Sequence, residues 1–550
     1  MSETVPSESK IDRNGSLPDE SVKKQDAILH AEHIESTTSV EHVDDLVKTR
    51  TFDNSIDDTK PSRKVWTIIF TVAMGGFLFG YDTGYISAVL VSIGDDLGHT
   101  LSSKEQELIT SITSGGALIG ALIAGLPADK FGRKFGIYVG CALFIIGSII
   151  QAAAFSVPQM TVGRFVVGLG VGSASMIVPL YIGEISVAKY RGRMVALNNV
   201  SVTFGQLISY VLGAGFVHVS HGWRYMVAIG GVPPILLAVL LAGCPESPRL
   251  LLMHQKIEQA KKALTSLYPY ASEAQVQSKI DLLIYAIEEE AQIVGSRSLW
   301  TQFKELHCIP ANLRALTSAC GVMAISQLSG FNTILYYGAT LFGLVGFKNP
   351  TAVSITIGAT NFIFNIVNFS VIDRAGRRIV LLITLSIMVV SMGVTAVAFH
   401  WIPVSKDLVL LSTSTNWASI VVLITILVYV ASFSSGVATI AWVGTELLPI
   451  EVRAVGTVMN NVTCWGANII VSSTFLSLLK GLTPSGTFGL YAGICFFGWI
   501  FVKFCFPEVN GMPLEDIRQI FEHGFGVKTA KHLQKAAAAG NKDKDKDEIV

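Results

Sequence analysis

The chain has 550 residues, half of them hydrophobic and only 15% charged, and its 41 basic and 41 acidic side chains cancel to a formal charge of zero. So few charges, with a mean hydropathy of +0.51, exclude an ordinary soluble protein, in which about a quarter of residues are charged. The missing net charge also argues against a nucleic-acid partner.

Residues 1–64 are polar and charge-rich and contain no apolar core of a cleavable signal. A disordered cytoplasmic N-terminal tail is expected there. From Val65 onward the pattern changes. A helix needs roughly 20 apolar residues to cross about 30 Å of hydrocarbon, and twelve such stretches follow: 66–91, 107–128, 134–154, 161–182, 196–217, 224–244, 313–342, 352–372, 379–400, 418–441, 455–479 and 487–506. Their frequent glycines suit closely packed membrane helices. The expected fold is an all-α membrane protein with twelve transmembrane helices in two pseudo-symmetric six-helix halves, 65–244 and 313–510. Between them, 245–312 shows helical periodicity (Ile257, Ala260, Leu264; Ile280, Leu283, Ile287) and predicts short amphipathic cytoplasmic helices. Residues 511–550 form the expected C-terminal tail.

Orientation follows from the basic residues. Lys60, Arg63 and Lys64 precede span one; Lys130, Arg133 and Lys134 follow span two. Lys189, Arg191 and Arg193 follow span four, and Arg374, Arg377 and Arg378 follow span eight. The opposite loops are poor in them, so the positive-inside rule puts both termini in the cytoplasm.

The halves repeat one another. Asp129-Lys130-Phe131-Gly132-Arg133-Lys134 returns as Asp373-Arg374-Ala375-Gly376-Arg377-Arg378, 244 residues later. Glu184 with Arg191 returns as Glu446 with Arg453, and Pro245-Glu246 as Pro507-Glu508, both offset by 262. Six charged clusters thus collect at the inner helix ends: Asp129/Arg133, Glu184/Arg191, Glu246/Arg249, Asp373/Arg377, Glu446/Arg453 and Glu508. Orientation accounts for the basic members but not for the acidic ones. A cytoplasmic gate, closed when the carrier faces outward, accounts for both.

Two charges lie inside spans. Asp82 is the only one in span one and Arg164 the only one in span four. At 1.5 Å per residue their depths overlap. Each must find the other or water, because an isolated charge in hydrocarbon costs several kcal/mol. A proton-coupling pair and a fixed structural ion pair both fit this placement. Amides in apolar helices are suited to hydrogen-bonding the polar edge of a small ligand, and aromatic rings to covering its faces. Gln206, Gln327, Asn332, Asn361, Trp442, Trp465 and Asn468 meet that description, though each also suits helix–helix hydrogen bonding.

Across residues 65–511 these motifs resemble the sugar-porter branch of the major facilitator superfamily. The resemblance is carried by Gly80-Tyr81-Asp82-Thr83-Gly84, the two Asp…Gly-Arg loops, Pro179 to Glu184 with Arg191, Gly222-Trp223-Arg224-Tyr225, Pro245 to Arg249, Gln327 to Asn332 with Tyr336-Tyr337, and Pro507 to Gly511. Within the branch the chain is most similar to fungal myo-inositol transporters, on Lys304 to His307, Asn312 to Leu316, Val345 to Asn349 and Thr483 to Phe488. The resemblance implies proton symport through Asp82, since proton-coupled members carry Asp there. It places Gln206, Ser326, Gln327, Asn332, Tyr336, Asn361, Trp442 and Trp465 at pocket positions.

Four departures stand out. Ser326 replaces a usual glutamine, Cys464 precedes Trp465 where Asn or Gln is common, the often proline-rich stretch of span ten from Gly436 to Trp442 has no proline, and Trp442 stands four residues before Glu446 rather than five. The resemblance therefore implies a monomeric plasma-membrane importer of a polyol, with myo-inositol foremost, driven by protons and embedded in the bilayer. A hexose carrier, a facilitative carrier and a transporter-like nutrient sensor are the rival readings. No cofactor, metal or enzymatic constellation is expected: no nucleophile–base set or phosphate-binding glycine loop appears, and the seven cysteines lack metal spacing.

Overall fold

Nineteen α-helices account for nearly all the regular structure of the computed structural model, which describes residues 55–531 apart from 60, 296, 406–407, 409, 412–415, 510–518 and 523. The expected tails at 1–54 and 532–550 lie outside the described residues. The first six spans are α1 (Arg63–Ser92), α2 (Ser103–Phe131), α3 (Arg133–Ala152), α4 (Val157–Ile185), α5 (Arg191–Phe216) and the pair α6 (Gly222–Ile229) and α7 (Val232–Leu241). Local chemistry sets several ends. The Ser62 side chain accepts from the Val65 amide to cap α1, and Ser102 and Glu105 form a capping box on α2. Span six breaks at Gly230-Gly231, just before Pro233-Pro234 restart the helix.

After the first half come α8 (Pro248–Met253), α9 (Ile257–Leu267), α10 (Glu273–Val294) and α11 (Leu299–Cys308). The periodicity read in this linker buries Ala260, Leu264 and Ile280, with Leu283 and Ile287 packed beside them, whereas Ile257 is half exposed. Ile56, just ahead of α1, is fully buried in the same cluster, and Asp57 pairs with Lys279 at 2.6 Å.

The second half comprises α12 (Pro310–Leu328), α13 (Phe331–Leu344), α14 (Pro350–Ala375), α15 (Arg377–Ala398), α16 (Trp417–Ser432), α17 (Ala438–Val443), α18 (Ile450–Gly481) and α19 (Thr483–Cys505). Helices α12 and α13 form span seven, interrupted at Ser329-Gly330, where Gly330 has φ +89° and lies against the Tyr491 ring. The span from Pro310 to Leu344 turns by 91° from α11. Span ten joins α16 to α17 through one wide π turn at Phe433–Val437. Eleven spans qualify by length and composition, and the bent segment brings the number to twelve.

The two halves pack by the same scheme. Helix α1 lies on α5 as α12 lies on α18, α2 on α4 as α14 on α16, and α3 on α7 as α15 on α19. The halves meet along α2 with α18, α5 with α14, and α1 with α13. Small residues permit the tight contacts within a half. A Cβ on Gly80 would sit 1.8 Å from the Val202 carbonyl, and one on Gly205 would sit 2.4 Å from that of Phe77, so α1 and α5 touch backbone to backbone.

Candidate functional site

Three elements converge on Asp82, each from the same half. Its carboxylate is 5% exposed and Arg164, on α4, is 1% exposed. Arg164 Nη1 donates to Asp82 Oδ1 at 2.8 Å and to the Tyr85 hydroxyl oxygen at 3.0 Å. Tyr85, one turn along α1, donates to the same Oδ1 at 2.8 Å, with Gln151 Oε1 of α3 at 3.1 Å from its hydroxyl. Arg164 Nε donates to the Ile109 carbonyl of α2 at 3.3 Å. Pairing and several hydrogen bonds thus offset the desolvation of two buried charges. Tyr336 of the second half lies within electrostatic reach of both charges.

The amide set forms short chains across the seam. Asn361 Nδ2 donates to Gln206 Oε1 at 2.6 Å, and Ser434 Oγ of the π turn donates to Asn361 Oδ1 at 2.6 Å. Across the span-seven break, Asn332 Nδ2 donates to Gln327 Oε1 at 2.6 Å. Asn468 bridges Ser114 of α2, at 3.2 Å, and Tyr336 of α13, at 3.3 Å. The Trp465 ring meets Phe79 of α1 edge-on with centroids 5.8 Å apart, and its indole N–H has no partner among the described residues. Phe331 stacks on Phe433 at 3.8 Å. Ser326 is buried at 2% exposure, as is Cys464 at 3%. Trp442 behaves differently: it is 37% exposed and stands apart from these chains.

The charged clusters lie at the basic face, where α1 begins and α19 ends, and they pair within each half. Arg133 reaches Asp129 and bonds both oxygens of Glu184, at 2.9 and 3.1 Å. Glu246 accepts from the amides of Arg133 and Lys134 at 3.1 and 3.3 Å, so it caps the N-terminus of α3. Gly132 between α2 and α3 has φ +118°, and a Cβ there would fall 2.6 Å from Glu246 Oε2. The second half repeats this: Gly376 has φ +83°, Glu508 Oε2 accepts from the Arg378 amide at 2.8 Å, and Arg377 bonds Glu446 at 2.5 Å.

Other members regroup. Arg249 reaches Glu290 of α10, Arg453 donates to the Leu448 carbonyl at 2.9 and 3.1 Å, and Arg191 is exposed at the start of α5. Glu184 and Glu446 therefore take Arg133 and Arg377, not the arginines seven residues downstream. A neighbour in space outcompetes a neighbour in sequence. The Asp373 side chain lies outside the described residues.

Sequence reasoning missed Tyr85, Gln151, Ser434 and Glu107. Tyr85 is one helical turn from Asp82, and Gln151 is an amide in an apolar span, so rules applied elsewhere reach both. Glu107, on α2 and 4% exposed, accepts from the Ser477 amide at 2.7 Å and the Ser477 hydroxyl at 2.8 Å on α18. Near it, Ser87 Oγ accepts from the Ala339 amide at 2.9 Å and Tyr210 donates to the Leu335 carbonyl at 2.6 Å. All four bonds cross the seam away from the basic face, so that side of the bundle is shut.

Twinned six-helix halves around buried amides, with a charge pair beside them, define the class of secondary transporters. Residues 68–521 match the family model "Sugar (and other) transporter". The chain belongs to that family, the sugar porters of the major facilitator superfamily. It is 41% identical to Myo-inositol transporter 1 of Cryptococcus neoformans over 480 residues, 87% of this chain and 85% of that one. It is 40% identical to Myo-inositol transporter 1 of Saccharomyces cerevisiae over 474 residues, 85% and 81% of the two chains. The inward-open xylose transporter XylE of E. coli superposes with a TM-score of 0.69 at 25% identity, covering 83% of this chain and all of that one.

Proposed function

We propose that this carrier imports a polyol, myo-inositol foremost, together with a proton, by alternating access. The observation that carries the reading is Asp82 paired with Arg164, buried within one half and beside Tyr336 of the other. A protonatable group at that junction gives a proton differential influence over the two facing states, as coupling requires. The substrate class rests on the amide and ring groups of Gln206, Ser326, Gln327, Asn332, Tyr336, Asn361 and Trp465, together with relatives named as myo-inositol transporters. Amide pairs such as Gln206–Asn361 suit vicinal hydroxyls, each of which both donates and accepts.

The basic face is cytoplasmic in this reading, the carrier acts as a monomer in the plasma membrane, and both tails lie inside. The shut opposite face is then the outer one. Asp129 and Glu446 keep about half of their side chains exposed. These carboxylates are available to meet the other half when the cytoplasmic face closes, so neutralising Arg133 or Arg377 favours inward-open forms. Cysteine reagents applied from inside should then react faster.

The decisive experiment is uptake of labelled myo-inositol and glucose in transport-deficient cells at acid and neutral pH, with and without a protonophore. Accumulation that needs the proton gradient, and is lost in Asp82→Asn, supports the reading. Uptake indifferent to pH and protonophore makes the protein a facilitative carrier, and preference for glucose makes it a hexose carrier.

A further inference from the structure

The phenol of Tyr85 faces two acceptors but owns one proton. Asp82 Oδ1 is 2.8 Å away and Gln151 Oε1 is 3.1 Å away, while Arg164 Nη1 donates to the phenol oxygen at 3.0 Å. Gln151 is fully buried and its Nε2 has no partner among the described residues. An unpartnered amide nitrogen at full burial has a structural cost that calls for an explanation, and a use for the oxygen beside it supplies one. The Tyr85 ring has the Arg164 guanidinium 5.6 Å from its centroid and the Tyr81 ring at 5.6 Å. Tyr81 is in turn anchored by its hydroxyl to the Met226 carbonyl at 2.8 Å.

We propose that Tyr85 and Gln151 are positioning residues that switch hydrogen-bond direction when Asp82 takes up a proton; the proposal rests on the proton-coupled reading above. With Asp82 ionised, the phenol donates to the carboxylate, a charge-assisted bond about twice as strong as a neutral one. When a proton binds Asp82, the new acid O–H donates to the phenol oxygen and the phenol proton turns to Gln151 Oε1. The phenol keeps its own proton throughout, and the carboxylate gains the single proton that is carried. The phenol oxygen has two lone pairs, so it receives Arg164 in both states. Arg164 thus keeps a partner when its counter-charge disappears.

The titratable and charged groups facing the pair are Arg164 from α4, Tyr336 from α13 and Tyr81 on α1 itself. Helix α3 supplies the neutral Gln151, α2 the Ile109 carbonyl, α6 the Met226 carbonyl, and α5 the Ser209 hydroxyl beside Gly84. The four switching residues sit on α1, α3 and α4 of one half, so rocking of the halves leaves the relay intact.

The two residues therefore act in opposite senses. Tyr85→Phe removes the bond that favours the ionised carboxylate and should move the pH of half-maximal myo-inositol uptake about one unit alkaline. Gln151→Met removes the acceptor needed only in the protonated state and should move it acid by roughly half a unit. A midpoint does not depend on how much carrier reaches the surface, so reduced expression leaves the readout intact. Gln151→Asn, with its amide withdrawn by one methylene, should give a smaller acid shift and stands in if the methionine variant does not reach the membrane.

Opposite shifts support the switch. Equal midpoints, or shifts in the same direction, against a pH-dependent wild type overturn it and leave proton coupling standing. A wild type whose uptake ignores pH overturns the coupled reading itself.

Discussion

Removing the Glu107 carboxylate should loosen the face of the bundle that is shut in this structure. In Glu107→Ala both bonds to Ser477 disappear, one to a backbone amide at 2.7 Å and one to a hydroxyl at 2.8 Å. A hydrogen bond contributes about 1 kcal/mol net, because water replaces it when the seam opens. Losing both shifts the closed–open balance by about 2 kcal/mol, or roughly thirtyfold. Ser477→Ala spares the amide bond and should shift it by about 1 kcal/mol, roughly fivefold. Ala339 reports the motion, because it is 1% exposed and its amide is bonded across the seam to Ser87. The assay is the labelling rate of Ala339→Cys by an impermeant maleimide applied from that side. It should rise in the order wild type, Ser477→Ala, Glu107→Ala. Identical rates in all three would refute the latch.

Gly80→Ala places a methyl 1.8 Å from the Val202 carbonyl; overpacking of this kind costs about 1–3 kcal/mol or more, read as a lower melting temperature of the detergent-solubilised carrier. Trp465→Ala should raise the KM for myo-inositol about tenfold, whereas Trp442→Ala, at a side chain 37% exposed, should change it less than about twofold. On the loop after α1, hydrogen bonds from His221 at 2.6 Å and then Trp223 at 2.7 Å hold the Asp96 carboxyl below its ordinary value of 3.8. A depressed carboxyl stabilises the fold fully above that value and loses its contribution as pH falls through the folded-state pKa. Asp96→Asn should therefore flatten the acid limb of thermal stability and leave the neutral range little changed in slope.

Much of the architecture was legible because the bilayer constrains sequence so strongly. Lipid cannot satisfy backbone polar groups, so each crossing must be a long apolar helix, and the twelve spans could be read residue by residue. The repeated Asp…Gly-Arg and Pro-Glu motifs marked two halves for an equally local reason: Gly132 and Gly376 occupy left-handed turns pressed against Glu246 and Glu508, where a side chain does not fit. Asp82 and Arg164 were legible as partners because two lone charges in hydrocarbon have few alternatives.

Tertiary structure alone decided which groups meet when several partners compete. Only the packing of α3 against α4 brings Gln151 to Tyr85, and only the α2–α18 seam brings Glu107 to Ser477, 370 residues away. The arginines at the basic face chose carboxylates by proximity in space, so Arg133 took Glu184 and left Arg191 exposed. Trp442 follows the π turn at Phe433–Val437, and more than a third of its surface is exposed. Hydropathy and motifs depend on what each residue is; pairing depends on helix phase and depth, which exist only once the helices have packed.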